Sequence, residues 1–154
     1  MVDSSNLREL GEATFARIQA AFPKLSMELD RAHPHVDILV SVPQQPGLDF
    51  PVSLNLQGDE LHLNAGEFWL EWFPCTKPAV REAFVEAVGG LLSGTFRILE
   101  FYVGRRAVRA ELQRPQDGQW RTIGKSYKGF WIPWRRSTRV LQNSPHASLG
   151  SRPN

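Results

Sequence analysis

Residues 52–64, VSLNLQGDELHLN, constrain the fold more than any other stretch of this chain. Val52, Leu54 and Leu56 fall on alternate positions with Ser53 and Asn55 between them, and after QGDE the pattern resumes as Leu61 and Leu63 alternating with His62 and Asn64. A period of two places the leucines on one face of a pleated strand, and the short Gly-containing link returns the second strand beside the first as a hairpin. The next run, FWLEWF, is apolar on both faces apart from Glu71, as expected of a central strand or of one covered by a second layer.

The flanking segments extend this pattern. KLSMELD alternates Leu25, Met27 and Leu29 with polar residues, and VDILVSV is a β-branched run suited to a more buried strand, with RAHPH as the turn between them. PQQPGLDFP is a loop, because its prolines interrupt any ladder. A helix is predicted from Ser4 to Phe22, with Leu7, Leu10, Thr14, Ile18 and Phe22 at helical spacing, Ser4 or Ser5 as cap and Pro23 as stop. A second is predicted from Lys77 to Ser93, with Thr76 as cap, an apolar stripe of Val80, Phe84, Val88, Leu91 and Leu92, and Gly94 beyond its end.

Residues 95–104, 106–114, 119–128 and 137–143 then read as further strands, separated by turns at Gly104 and PQDG. The order is helix, about five strands, helix, about four strands, joined by hairpin-length links. This predicts a single α+β domain over 1–143, a mainly antiparallel sheet with both helices packed on one face. The Ser/Pro-rich tail 144–154 is expected to be disordered.

A chain of 154 residues buries a sizeable core without metal or disulfide help. Cys75 is its one cysteine, which excludes an internal disulfide and a cysteine-rich metal site and suits a reducing compartment. The start MVDSSNLREL lacks the basic and apolar regions of a secretory signal, and no apolar run reaches membrane-spanning length. A soluble cytoplasmic protein without cofactor or metal is expected.

Net charge is +2, distributed unevenly: residues 1–96 carry 13 acids and 6 Lys/Arg (−7), residues 97–154 carry 3 acids and 12 Lys/Arg (+9). Either the halves neutralise one another in the fold, or a face is left for an anionic partner.

GxGxxG, P-loop, HExxH, GxSxG and spaced Cys/His patterns are missing, which disfavours the well-marked catalytic classes. His33 and His35 with Asp37 form the nearest approach to a metal-ligand cluster, but the proline between the histidines points to a surface turn. Cys75, just before the second helix, would gain thiolate character from the helix dipole if exposed, or pack as a small hydrophobe if buried. Glu67 and Glu71 flank Trp69, either as an acid/base pair or as partners of later arginines. An enzyme with a scattered site would draw on Glu67, Glu71, His62 and Cys75.

The C-terminal half offers a stronger candidate. In RRAVRAELQRP, Val108, Ala110 and Leu112 point one way and Arg109, Glu111 and Gln113 the other, where Arg121 or Lys125 of the next strand can join them. SYKGFWIPWRR adds Tyr127, Phe130, Trp131 and Trp134 among Lys128, Arg135 and Arg136. Trp and Arg together are the composition of protein interface hot spots, and the expectation is a protein-binding module. The alternative is a binder of nucleic acid or another polyanion, with aromatics for base stacking and cations for phosphates. Alternatively, Trp131 and Trp134 close the core and the arginines are its solvated rim. In size and element order the chain resembles toxin-neutralising immunity proteins and small secretion chaperones, which act by stoichiometric binding; the likeness carries no residues across.

Overall fold

The computed structural model describes residues 3–130 and 135–144. In chain order its elements are α1 (Ser4–Ala21), β1 (Glu28–Asp30), β2 (Ile38–Val42), β3 (Val52–Gln57), β4 (Glu60–Ala65), β5 (Phe68–Trp72), α2 (Pro78–Ser93), β6 (Arg97–Val103), β7 (Arg106–Gln116), β8 (Gln119–Tyr127) and β9 (Arg136–Leu141). The α+β class and the antiparallel pairing are as the sequence dictates. The strands divide into two sheets, one of five in the order β1-β2-β3-β4-β5 and one of four in the order β8-β7-β6-β9. Ser144, the first residue of the expected tail, donates its backbone N–H to Asp49 Oδ2 at 3.2 Å; residues 145–154 lie outside the described residues.

Both helix starts differ from expectation in their caps. Asp3 precedes α1, and its carboxylate accepts the amide of Ser5 at 3.2 Å and its hydroxyl at 2.7 Å, so Ser4 and Ser5 become helical. The N-cap position of α2 is Lys77, without a side-chain cap. Pro78 opens that helix instead, with φ preset and no N–H to satisfy. Gly94 ends it at φ 82 in the left-handed region, as read.

Strand β1 is shorter than the alternation of Leu25, Met27 and Leu29 implies. The Gln45 side chain takes both backbone groups of Ser26, accepting its N–H at 2.8 Å and donating to its carbonyl at 3.0 Å. Strand pairing therefore begins only at Glu28. β2 is buried on alternate residues rather than on both faces, because only its Ile38, Val40 and Val42 side is covered. β5 is an edge strand of its sheet, not a central one.

The inner face of the five-stranded sheet carries Ile38, Val40, Val42, Val52, Leu54, Leu56, Leu61, Leu63, Ala65 and Phe68, all buried. Against it lie Phe15 and Ile18 of α1 and Phe84, Val88, Leu91 and Leu92 of α2 in the same core. Gly11 lets α1 approach closely, since a Cβ there would lie 2.6 Å from a methyl of Leu56. Phe84 receives Phe15 and Trp72 edge-on, with ring centroids 6.2 and 5.4 Å away. Ile98, Ala110, Leu112 and Leu141 of the second sheet close the same core.

The sheets meet at β5. A Cβ on Gly124 of β8 would lie 2.6 Å from Leu70 Cδ2, so the absence of a side chain there permits the approach. Glu100, 2% exposed, accepts the Glu67 amide at 2.6 Å and the Tyr102 hydroxyl at 3.1 Å. Its carboxylate thereby ties the β4–β5 turn of one sheet to the centre of the other.

Truncation at Glu100 would leave the part-buried Glu67 amide and Tyr102 hydroxyl without their acceptor, each costing about 1–2 kcal/mol. Glu100→Ala is expected to lower unfolding stability by about 2–4 kcal/mol, read as a shift of the urea midpoint at unchanged slope.

Candidate functional site

The charge asymmetry of the chain maps onto the two sheets. Strands β1 to β5 carry Glu28, Asp30, Glu60 and Glu71 and not one Lys or Arg. Strands β6 to β9 carry Arg97, Arg106, Arg109, Arg114, Arg121, Lys125, Arg136 and Arg139, against Glu100 and Glu111, which are both buried. Ion pairs between the halves include Lys128 with Glu67 and Arg114 with Glu86. Sheet formation has sorted the charges, because each hairpin keeps neighbours in sequence together in space.

The outer face of the four-stranded sheet is built by register. Phe101 of β6 pairs with Arg109 of β7, which pairs with Tyr127 of β8; Leu99 lies between Val140 and Glu111, and Glu111 lies opposite Lys125. A bulge after Leu112 leaves Ile123 unpaired and shifts the alternation of β8, so that Thr122 and Trp120, not Ile123 and Arg121, continue the row opposite Gln113 and Pro115. Arg121 instead lies opposite Arg114, on the side where Arg114 meets Glu86 of α2. The expected union of Arg121 with Arg109 and Lys125 on one face is therefore broken, for a reason the period of two does not contain.

On this face the guanidiniums stack on rings. Arg97 lies 4.2 Å above the Trp120 ring and Arg109 3.9 Å above that of Phe101, each contact worth roughly 0.5–1 kcal/mol near solvent. Beneath them Arg97 donates to Gln113 at 2.9 Å, and Thr122 donates to Glu111 at 2.6 Å. Arg109 Nε sits 3.3 Å from Glu111 Oε2, within ion-pair range but off the line of a hydrogen bond. Desolvation draws the Arg97 guanidinium below its ordinary pKa, yet an arginine stays charged at neutral pH.

Apolar surface lies exposed around this network: Trp120 (37%), Tyr127 (65%), Val140 (46%) and Phe130 (90%). Tyr127 and Phe130 line a shallow hollow with Val108, Arg109 and Gly129. Of the other expected residues, Lys125 is exposed, Lys128 is held by Glu67, and Arg135, with φ 56, accepts the Gly104 amide on its carbonyl at 2.9 Å. Arg136 begins β9. Trp131 and Trp134 lie outside the described residues. Sequence reasoning missed Arg97, Phe101, Trp120 and Val140, which join the face only through the pairing of β6 with both its neighbours.

The residues of the scattered-site alternative divide. His62 and Glu71 come together with Glu60: His62 Nε2 lies 2.9 Å from Glu60 Oε2 and 3.9 Å from Glu71 Oε2, and Trp69 meets the imidazole edge-on at 5.3 Å. Glu67 turns instead to Lys128, a later lysine and not one of the expected arginines. His33 and His35 occupy a turn, where the His35 amide donates to His33 Nδ1 at 3.2 Å.

Cys75 is fully buried, and burial raises its thiol pKa above the ordinary value, with Asp59 adding to the rise and Arg81 opposing it. A higher pKa means less thiolate at neutral pH, the reverse of an activated nucleophile.

No protein-family model, curated protein or solved structure matches this chain. Among the described residues no helix is long and apolar enough to cross a membrane.

Native protein at pH 8 should therefore react with a disulfide reagent at least about a hundredfold more slowly at Cys75 than the urea-unfolded chain, since modification must await local opening. Equal rates, followed by thiolate release in both states, would mean an accessible thiol.

Proposed function

We propose that this protein is a non-catalytic binding module that holds an acidic protein surface through the outer face of β6 to β9, in the stoichiometric manner of immunity or chaperone proteins. One observation carries the reading: exposed Trp120, Tyr127, Val140 and Phe130 interleave with Arg97, Arg109 and Lys125, while both carboxylates of that sheet are buried. Aromatics beside arginine suit an interface core. The buried acids leave positive charge to meet the partner.

An acidic protein is favoured over nucleic acid by the stacking. The rings of Phe101 and Trp120 each carry an arginine on one face, which reduces the platform a base would need. Trp131 and Trp134 remain part of the reading as sequence neighbours of Phe130 and Arg135, but the reading does not rest on them. A reducing, cytoplasmic setting is proposed with it, supported by the lone unpaired Cys75.

The test is affinity capture followed by titration of the purified captured protein. Against it, Trp120→Ala/Tyr127→Ala is expected to bind at least about tenfold more weakly than wild type, whereas Glu28→Gln/Asp30→Asn on the acidic sheet stays within about twofold. Equal binding by the aromatic variant sinks the assignment of this face. In parallel, fluorescence anisotropy with an oligothymidine should show weak binding; tight binding that collapses between about 50 and 200 mM salt would replace the protein partner with a polyanion.

A further inference from the structure

We propose that Glu60, His62 and Glu71 form a site for a divalent transition-metal ion, with zinc as its probe, on the outer face of the five-stranded sheet. Two turns fix the constellation. Gly58 and Asp59 join Gln57 to Glu60, which sets Asn55 opposite His62; Gly66 and Glu67 join Ala65 to Phe68, which sets His62 opposite Glu71. Asn55, His62 and Glu71 thus form one row across three strands, projecting from one face, and Glu60 stands two residues before His62 on that same face.

The three donor atoms of Glu60, His62 and Glu71 all lie within 4.8 Å of one another. Around zinc, ligands at about 2.0–2.2 Å stand roughly 3.3–3.5 Å apart, so closure asks little of carboxylates that remain half exposed. Imidazole with carboxylate oxygen is a donor set that suits zinc and its first-row neighbours. The histidine is the buried member, packed against Trp69, so the rigid ligand is preplaced and the flexible ones close on it.

Asn55 supplies an independent sign. It is 9% exposed, and its Oδ1 has no hydrogen-bond partner among the described residues. A buried acceptor without a donor is unusual. A water on an ion held by its neighbour His62 would supply that donor, placing Asn55 in the outer shell of the site. The absence of Lys and Arg from β1 to β5 also leaves the two carboxylates without a competing cation on their own sheet.

Chelator-stripped full-length protein titrated calorimetrically with zinc chloride is expected to show saturable 1:1 binding. Glu71→Gln, which keeps size and shape at a half-exposed position, should weaken it at least about tenfold, and Asn55→Leu by roughly 10-fold through the outer shell. His33→Ala/His35→Ala, which removes the other described histidines, should leave it unchanged. No saturable binding, equal affinity in Glu71→Gln, or loss in the His33/His35 variant would each overturn the site. Circular dichroism of Glu71→Gln keeps loss of metal distinct from loss of fold.

Discussion

The placement of the second sheet on the first depends on its contact with β5 and the turn before it. The contact has two parts of different physics. Leu70 against the bare Cα of Gly124 is a packing constraint, in which one side chain must be absent for another to pack against the core. Glu100 is a polar constraint, a carboxylate taken almost wholly out of water and offset by the Glu67 amide and the Tyr102 hydroxyl. Packing alone permits sliding; hydrogen bonds to a turn amide do not. Together they fix which face of the second sheet is spent on the core, and hence which is left to solvent.

That choice determines the electrostatics. The inner face takes Glu100 and the outer strip swallows Glu111 beneath Thr122 and Arg109, so the sheet's acids are consumed internally. Its cations are not. A chain of net charge +2 therefore presents one sheet without a basic residue in its strands and another with little exposed acid, although nothing in the net value suggests it. Beyond about one Debye length of 8–10 Å such fields are screened. They are felt only close to the surface that carries them.

The period-two and helical patterns made most elements legible, since Leu54, Leu56, Leu61 and Leu63 could satisfy their burial in only one register. The division into two sheets was not legible. Alternation shows that a strand has a face to bury but not which strand it borders after a helix intervenes, and α2 separates β5 from β6. The proposed binding face was half legible for the same reason. Arg109, Lys125 and Tyr127 are close in one hairpin, whereas Trp120 joins them only through the bulge at Ile123, and Val140 only through β9 pairing with β6. The row Asn55, His62, Glu71 is legible in the sequence once register is considered, because the two short turns set it arithmetically; residue type alone does not bring it together. Trp131 and Trp134, on which much of the sequence reading leaned, lie outside the described residues.

On the outer face, charge and apolar area have separate tasks. Exposed cations alone make a surface that binds anions weakly and without shape, because surface ion pairs contribute at most about 1 kcal/mol each. Exposed rings alone invite nonspecific association. Arg97 over Trp120 and Arg109 over Phe101 combine the two, since a guanidinium lying on a ring is held in place by it and keeps part of that ring from water while free. A fixed guanidinium also loses less freedom on meeting a carboxylate than a solvated lysine does. The stacked pairs are thus prearranged donors bordered by the open apolar surface of Tyr127 and Phe130; in the proposed complex, affinity would come from covering those rings and orientation from the arginines.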